Sequence, residues 1–270
     1  SLDFFKKLQN QEFRYGYSQD DESTFVRTHP LSGDRIATLR EGYEKDPAWT
    51  APDDPQLQAR FMRVKAKLFG YLSTPERTLN AFPESDASIP AHYARAYAYH
   101  KNALIGDALR ETDALIALDP DDPYFLELKG QVLLESGKPT EALEPLRRAT
   151  ELTGNLPLIA SLFGHALIAT EDKANFSEAE RVLRAAVARD RYNPFAWYQL
   201  GVVYAANGDM PRARLASAEQ QAMSGRYPEA LRSAQAAEAG LDQGSPDWIR
   251  AQDIALQARA ELERMRDRKK

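Results

Sequence analysis

The chain carries four histidines, His29, His92, His100 and His165, and no cysteine. Without cysteine there is no thiol nucleophile, no disulfide framework and no thiolate-ligated metal. None of the four histidines is followed by glutamate, so the H-E-x-x-H helix of a zinc hydrolase does not occur in these residues. His92 and His100 stand eight apart, not at the i, i+4 spacing that brings two imidazoles to one metal. No G-x-x-x-x-G-K-[ST] or G-x-G-x-x-G loop is present to cradle a phosphate. A catalytic constellation would have to come from carboxylates. The Asp and Glu residues lie mostly at helix starts and on charged faces, where capping and solvation account for them. What remains is recognition chemistry, and the chain by itself is expected not to be an enzyme.

Composition narrows what could be recognised. The 270 residues are 43% hydrophobic and 28% charged, the balance of a water-exposed globular protein. No stretch approaches the roughly 20 apolar residues of a bilayer span, so no transmembrane segment is expected. A net charge of −5 argues against nucleic acid as a partner. The basic end from Arg264 to Lys270 reads as a solvated tail that complements a helix C-terminus. The chain opens Ser1-Leu2-Asp3-Phe4-Phe5-Lys6-Lys7-Leu8, already in helical periodicity, as an excised piece of a longer protein would.

The elements that must position any binding residues are helices throughout. Periodicity and punctuation predict helices over 2–14, 31–45, 56–72 and 76–82, then pairs at 90–103 with 107–118, 123–136 with 139–152, 157–170 with 176–189, and 194–207 with 210–224. A helix from Tyr227 and a long final one from Ser245 to about Arg266 complete the set. Small residues recur at matching places. Ala96, Gly130, Gly164 and Gly201 are spaced by 34, 34 and 37 residues, and Ala108, Ala142, Ala179 and Ala213 by 34, 37 and 34. Both ladders share one three-residue insertion near Glu171–Phe176. With Trp197-x2-Leu200-Gly201-x2-Tyr204, this pattern resembles the tetratricopeptide (TPR) repeat. The expected fold is all-α: a TPR helix-turn-helix solenoid of about four to five repeats, with additional N-terminal helices and a C-terminal capping helix. Residues 1–50 are expected to be helices from the end of another domain, 51–86 a degenerate capping pair, and 87–270 the array with its cap. Gly or Ala at each crossing lets two backbones approach, and Trp197 is expected to fill the gap to the next helix, worth about 3–5 kcal/mol if buried.

TPR arrays bind along the groove lined by their first helices. The residues expected there are Tyr93, Tyr97 and His100, then Tyr124, Glu127, Gln131 and Leu134, then Ser161, His165 and Ile168, then Phe195, Tyr198 and Val202. The Lys/Asn pattern by which co-chaperone TPRs clamp a terminal carboxylate is absent from these positions. An aromatic, nearly neutral groove suits an extended or partly unfolded apolar polypeptide segment. The alternative is that several of these rings pack against a neighbouring helix or an inserted segment of the chain itself.

Residues 1–45 fall outside the repeat. Phe4-Phe5-Lys6-Lys7-Leu8, a polar loop, and then Phe25-Val26-Arg27-Thr28-His29-Pro30-Leu31-x3-Arg35-Ile36 resemble the stretch after the third zinc ligand in metallopeptidase family forty-eight. The closing Gly244-Ser245-Pro246-Asp247-Trp248-x-Arg250-Ala251 is similar to the end of the TPR tails that many bacterial members carry. The resemblance implies a periplasmic tail that docks polypeptide segments, envelope proteins or its own catalytic domain, with catalysis and zinc supplied by a domain upstream. Absence of cysteine fits cytoplasm as well as periplasm. His29 is the one residue here that the resemblance brings near such a zinc site, as an accessory ligand; Pro30 offers it the plainer role of helix entry. Residues 1–50 are expected to pack loosely by themselves and to seek a partner surface. Two other readings stand beside this one: a free-standing TPR adaptor or assembly factor without protease activity, and an enzyme with an unrecognised carboxylate site in a deep polar pocket.

Overall fold

The computed structural model describes residues 2–14, 32–47, 51–52 and 54–268. Fourteen α-helices and a 3-10 turn at Lys173–Asn175 are found among them, and no strand. In order these are α1 (Leu2–Arg14), α2 (Ser32–Tyr43), α3 (Pro55–Leu72), α4 (Pro75–Ala81), α5 (Ile89–Lys101), α6 (Ile105–Leu118), α7 (Pro123–Glu135), α8 (Pro139–Leu152), α9 (Pro157–Ala169), α10 (Phe176–Arg189), α11 (Pro194–Ala206), α12 (Met210–Met223), α13 (Tyr227–Glu238) and α14 (Pro246–Asp267). The chain divides into two compact units, residues 1–61 and 62–270, with the division inside α3.

In the first unit α1 packs along α2. The Glu12 carboxylate accepts hydrogen bonds from the Ser32 backbone N–H at 3.3 Å and its hydroxyl at 2.8 Å, tying the end of one helix to the start of the other. No residue of α1 is buried, and Phe4 and Phe13 stand more than half exposed. The Thr28-His29-Pro30 segment lies outside the described residues.

The second unit is a succession of helix pairs: α5–α6, α7–α8, α9–α10 and α11–α12. Proline in the first turn and a side-chain cap start several of them, since proline costs nothing where the N–H has no intrahelical partner. The caps are Ser88 before α5, Asp122 before α7, Asn193 before α11 and Ser245 before α14. Between paired helices the chain reverses through one left-handed residue. These are Ala103, Gly137, Glu171 and Gly208, with φ of 57°, 76°, 58° and 80°. They form a third ladder spaced by 34, 34 and 37 residues like the first, hidden in the sequence because alanine and glutamate occupy two of its rungs.

The crossings are unequal. A Cβ on Gly130 would meet Leu146 Cγ at 2.4 Å, and one on Gly164 would meet Leu183 Cγ at 2.5 Å, so both need glycine. At Gly201 the nearest atom, Ala216 Cβ, is 3.5 Å away, and an ordinary side chain fits. A buried core of Leu146, Phe163, Leu167, Leu183, Leu200 and their neighbours runs through the second to fourth pairs. Beyond α12, α13 packs on both α12 and α14 through Ala230, Ala234, Ala237, Ala251 and Ala258, small residues that bring three helices close.

Candidate functional site on the first helices

Cross-helix contacts show that residues of α5, α7, α9 and α11 share one face. His100 Nε2 on α5 lies 2.7 Å from Glu135 Oε2 on α7, and Gln131 Nε2 donates to the other oxygen of that carboxylate at 2.8 Å. The hydrogen bond from His100 holds the Glu135 carboxyl below its usual range, against the opposing effect of burial. On α9 the His165 ring meets the Phe195 ring of α11 edge-on at 5.5 Å. Burial pushes the His165 pKa down, so at neutral pH this contact joins an uncharged imidazole to a phenyl ring.

The near end of the face, on α5 and α7, is covered by the second half of α3. Arg63 donates two hydrogen bonds, 2.5 and 2.6 Å, to the Asp122 carboxylate that also caps α7, and its guanidinium lies 4.3 Å from the Phe125 ring centroid. Burial opposes the Arg63 charge, but the bonds and charge of Asp122 outweigh it and raise its pKa. One turn on, Lys67 Nζ is 3.5 Å from Glu127. Burial raises the Glu127 pKa and Lys67 partly offsets this. Another turn on, Gly70 crosses α5 so closely that a Cβ there would sit 2.7 Å from the Ala94 carbonyl oxygen. Tyr71 then meets Tyr97 edge-on at 6.1 Å, and Lys101 Nζ closes the end by donating to the Tyr71 and Ser73 carbonyls, each at 2.7 Å. Residues 63, 67, 70 and 71 form one helical stripe, the i, i+4, i+7, i+8 pattern of a packed face.

Four of the residues expected to line the groove are therefore packing residues instead. Tyr93 and Tyr97 are 1% and 5% exposed, stacked on each other beneath α3. Burial pushes both phenols far above the tyrosine range, so they stay neutral. Leu134 is buried in the core beneath the second and third pairs. Ser161 is 1% exposed: its hydroxyl donates to the Pro157 carbonyl and accepts from Asn193, which in turn caps α11. Glu127 is held by Lys67. Tyr124 stays 44% exposed at the border of the covered region.

The far end is open. Phe195 and Tyr198 are 43% and 57% exposed, and Leu158, one turn before Ser161, is 73% exposed. His165, Ile168 and Val202 are half-buried there, as are His100 and Gln131 on α5 and α7. The sequence reading missed Arg63, Lys67 and Gly70 as the residues that decide which part is open. Gly70 is a small residue at a helix crossing like those of the two ladders, but it stands outside their spacing. Trp197 is not fully buried: its indole N–H donates to the Arg191 carbonyl at 2.9 Å, and its ring walls a cavity on the other side of α11. Among the described residues no group of three or more His, Cys, Asp or Glu is placed to hold a metal ion, and no helix is long and apolar enough to cross a membrane.

Comparison with known proteins fits this architecture. A family model described as tetratricopeptide repeat matches residues 92–157 and 169–222. The chain is 24% identical over 249 residues to proteins named beta-barrel assembly-enhancing protease from Escherichia coli strain K12 and Shigella flexneri; the alignment takes in 90% of this chain and 49% of theirs. The chain thus spans about half the length of the curated relatives it matches. Among solved structures, YrrB, described as a TPR protein with an unusual peptide-binding site, has a TM-score of 0.51 and 21% identity, covering 74% of this chain and 97% of YrrB. A double mutant of MamA from RS-1 has a TM-score of 0.50 and 18% identity, covering 62% and 94% of the two chains. At such identities the likeness is one of fold. The helix pairs within residues 92–157 and 169–222 match the tetratricopeptide repeat, and the fold is an all-α TPR solenoid.

Proposed function

We propose that this chain is the polypeptide-docking tail of a periplasmic zinc metallopeptidase that acts on envelope proteins. The observation that carries the docking role is the open aromatic end of the first-helix face, where Phe195 and Tyr198 stand exposed beside a neutral His165. Two rigid rings give large apolar contact at small entropic cost, and the carboxylate that acts on His165, Glu135, is already engaged by His100 and Gln131, which favours unfolded or extended apolar segments. The protease connection rests on the resemblance of residues 1–45 to metallopeptidase family forty-eight and on the 24% identity to beta-barrel assembly-enhancing proteases. Val64, Leu68 and Leu72 add to it: at i, i+4 and i+8 of α3 they are each at least half exposed, an apolar stripe suited to packing against a catalytic domain. The zinc and the hydrolysis belong to that domain, and no step is assigned to residues of this chain. In the full-length protein His29 is assigned an accessory role at the zinc; His29→Ala changing neither zinc affinity nor proteolysis would remove it.

The docking role is tested by titrating the chain with a urea-unfolded β-barrel envelope protein and following fluorescence anisotropy. The doubly substituted Phe195→Ala/Tyr198→Ala chain should bind at least about tenfold more weakly, the loss of one to two contact residues each worth more than about 1 kcal/mol. Equal binding by both chains would contradict the proposal.

A further inference from the structure

The opposite side of α11 carries a second site. Trp197, Leu200 and Tyr204 recur at i, i+3 and i+7, roughly 160° around the helix from Phe195, Tyr198 and Val202 at 100° per residue. They floor a cavity of about 330 Å³ bounded by α10, α11, α12 and α14, the low end of the range for small-ligand pockets. Above this apolar floor the lining holds four arginines against two carboxylates, in a chain whose net charge is −5.

Both carboxylates are already engaged in holding the walls. Glu219 of α12, 1% exposed, accepts two hydrogen bonds from Arg250 of α14 at 2.5 and 2.7 Å. Asp247, in the first turn of α14, accepts from Arg212 of α12 at 2.8 Å. The other two arginines come from α10 and the turn after it. Arg184 reaches only Glu180 on its own helix, at 3.7 Å, and stays 60% exposed. Arg191 has no ion-pair partner among the described residues, and its backbone is fixed by the hydrogen bond from the Trp197 indole to its carbonyl. One guanidinium at the rim of this aromatic-floored cavity, Arg191, is thus unpaired among the described residues, and a second, Arg184, is held only by a long 3.7 Å contact to Glu180; both offer a planar donor geometry matched to carboxylate.

We infer that this cavity binds an acidic peptide segment, seating an aromatic or branched aliphatic side chain over Trp197 and Tyr204 while a flanking Asp or Glu carboxylate pairs with Arg191 and Arg184. The site is independent of the open aromatic end of the first-helix face and adds a charge-selective contact to it.

The test is an NMR titration of the whole chain with an acetylated, amidated pentapeptide in which two glutamates flank a phenylalanine, reading the Trp197 indole N–H and the Arg191 amide. Saturable shifts at both signals are expected, with an affinity that falls as salt is raised. The same peptide with glutamines should bind at least tenfold more weakly, as should Arg191→Glu/Arg184→Glu. Phe195→Ala/Tyr198→Ala should leave the titration unchanged while weakening the first-helix site, which keeps the two proposals separable. If the double charge reversal disturbs α10, Arg191→Gln alone should still weaken binding several-fold. Equal affinity for the glutamine peptide, shifts that bypass Trp197, or unaltered binding by a folded Arg191 variant would each overturn the inference.

Discussion

The two ends of the first-helix face are built on the same repeat and end in opposite states. On α5 and α7 the positions facing outward are Tyr93, Tyr97 and Glu127, and all three are covered by α3. On α9 and α11 the corresponding stretch is Leu158, His165, Phe195 and Tyr198, and nothing among the described residues covers the exposed rings. The repeat supplies a face that asks for an occupant; residues outside the repeat decide whether the chain itself provides it. The helix placed on that face is fixed by an arginine bonded to a capping aspartate, by one glycine crossing and by ring contacts to Tyr97 and Phe125.

The sharpest way to break the difference is at that crossing. Gly70→Ala puts a methyl 2.7 Å from a backbone carbonyl, where no side-chain rotation relieves it, so α3 should lift from α5 at a cost of about 3 kcal/mol, the upper part of the usual overpacking range. Urea unfolding should register the loss, and hydrogen exchange should speed up in α3 before it does in α9 or α11. An unchanged midpoint would mean that α3 does not seat as described.

A smaller effect separates the crossings inside the two ends. Gly130→Ala presses on Leu146 and should cost about 1–3 kcal/mol, whereas Gly201→Ala meets only ordinary contacts and should gain about 0.5–1 kcal/mol from the lower chain entropy of alanine. Thermal melts of the two variants should therefore move in opposite directions. Shifts of the same sign would show that the ladder is uniform after all.

The smallest effect is on pH. His165 is a base whose folded pKa is pushed below its ordinary 6.5 by burial, so its neutral form contributes stability above that value and the contribution is lost as pH falls below it. The slope from one such group is at most about 1.4 kcal/mol per pH unit. Binding of an apolar segment at the open end should weaken over the same window, because a charged imidazole replaces a neutral one beside Phe195. His165→Phe should flatten the profile just below pH 6.5, while wild-type behaviour in that variant would assign the titration elsewhere. Glu135, held down by His100, enters only at more acidic pH, because its carboxyl titrates below its ordinary 4.5.

The helices were legible because many boundaries carry a local chemical reason: proline in a first turn, a capping side chain, glycine at Gly137 and Gly208. The repeat was legible because two ladders of small residues keep one spacing. The third ladder was not, since Ala103 and Glu171 accept the left-handed conformation that glycine usually marks. The site was half legible. Periodicity placed His165, Phe195 and Tyr198 on the open face, yet it equally placed Tyr93 and Tyr97 there, because it reports which side of a helix a residue lies on and not what comes to rest against that side. Burial of Ser161 follows from a hydrogen bond to Asn193, 32 residues away, a long-range pairing that leaves no periodic trace. Trp197 sits where the repeat puts it, but α14 stands off far enough to leave a cavity rather than a filled contact.

Hydroxyl-radical footprinting read by mass spectrometry tests the division of the face most directly. Tyr198, 57% exposed, should be labelled rapidly, while Tyr93 and Tyr97, at 1% and 5%, should be protected in the wild-type chain and become reactive in Gly70→Ala. Tyr93 and Tyr97 labelled as fast as Tyr198 in the unaltered chain would contradict the account, because α3 would then not cover the near end.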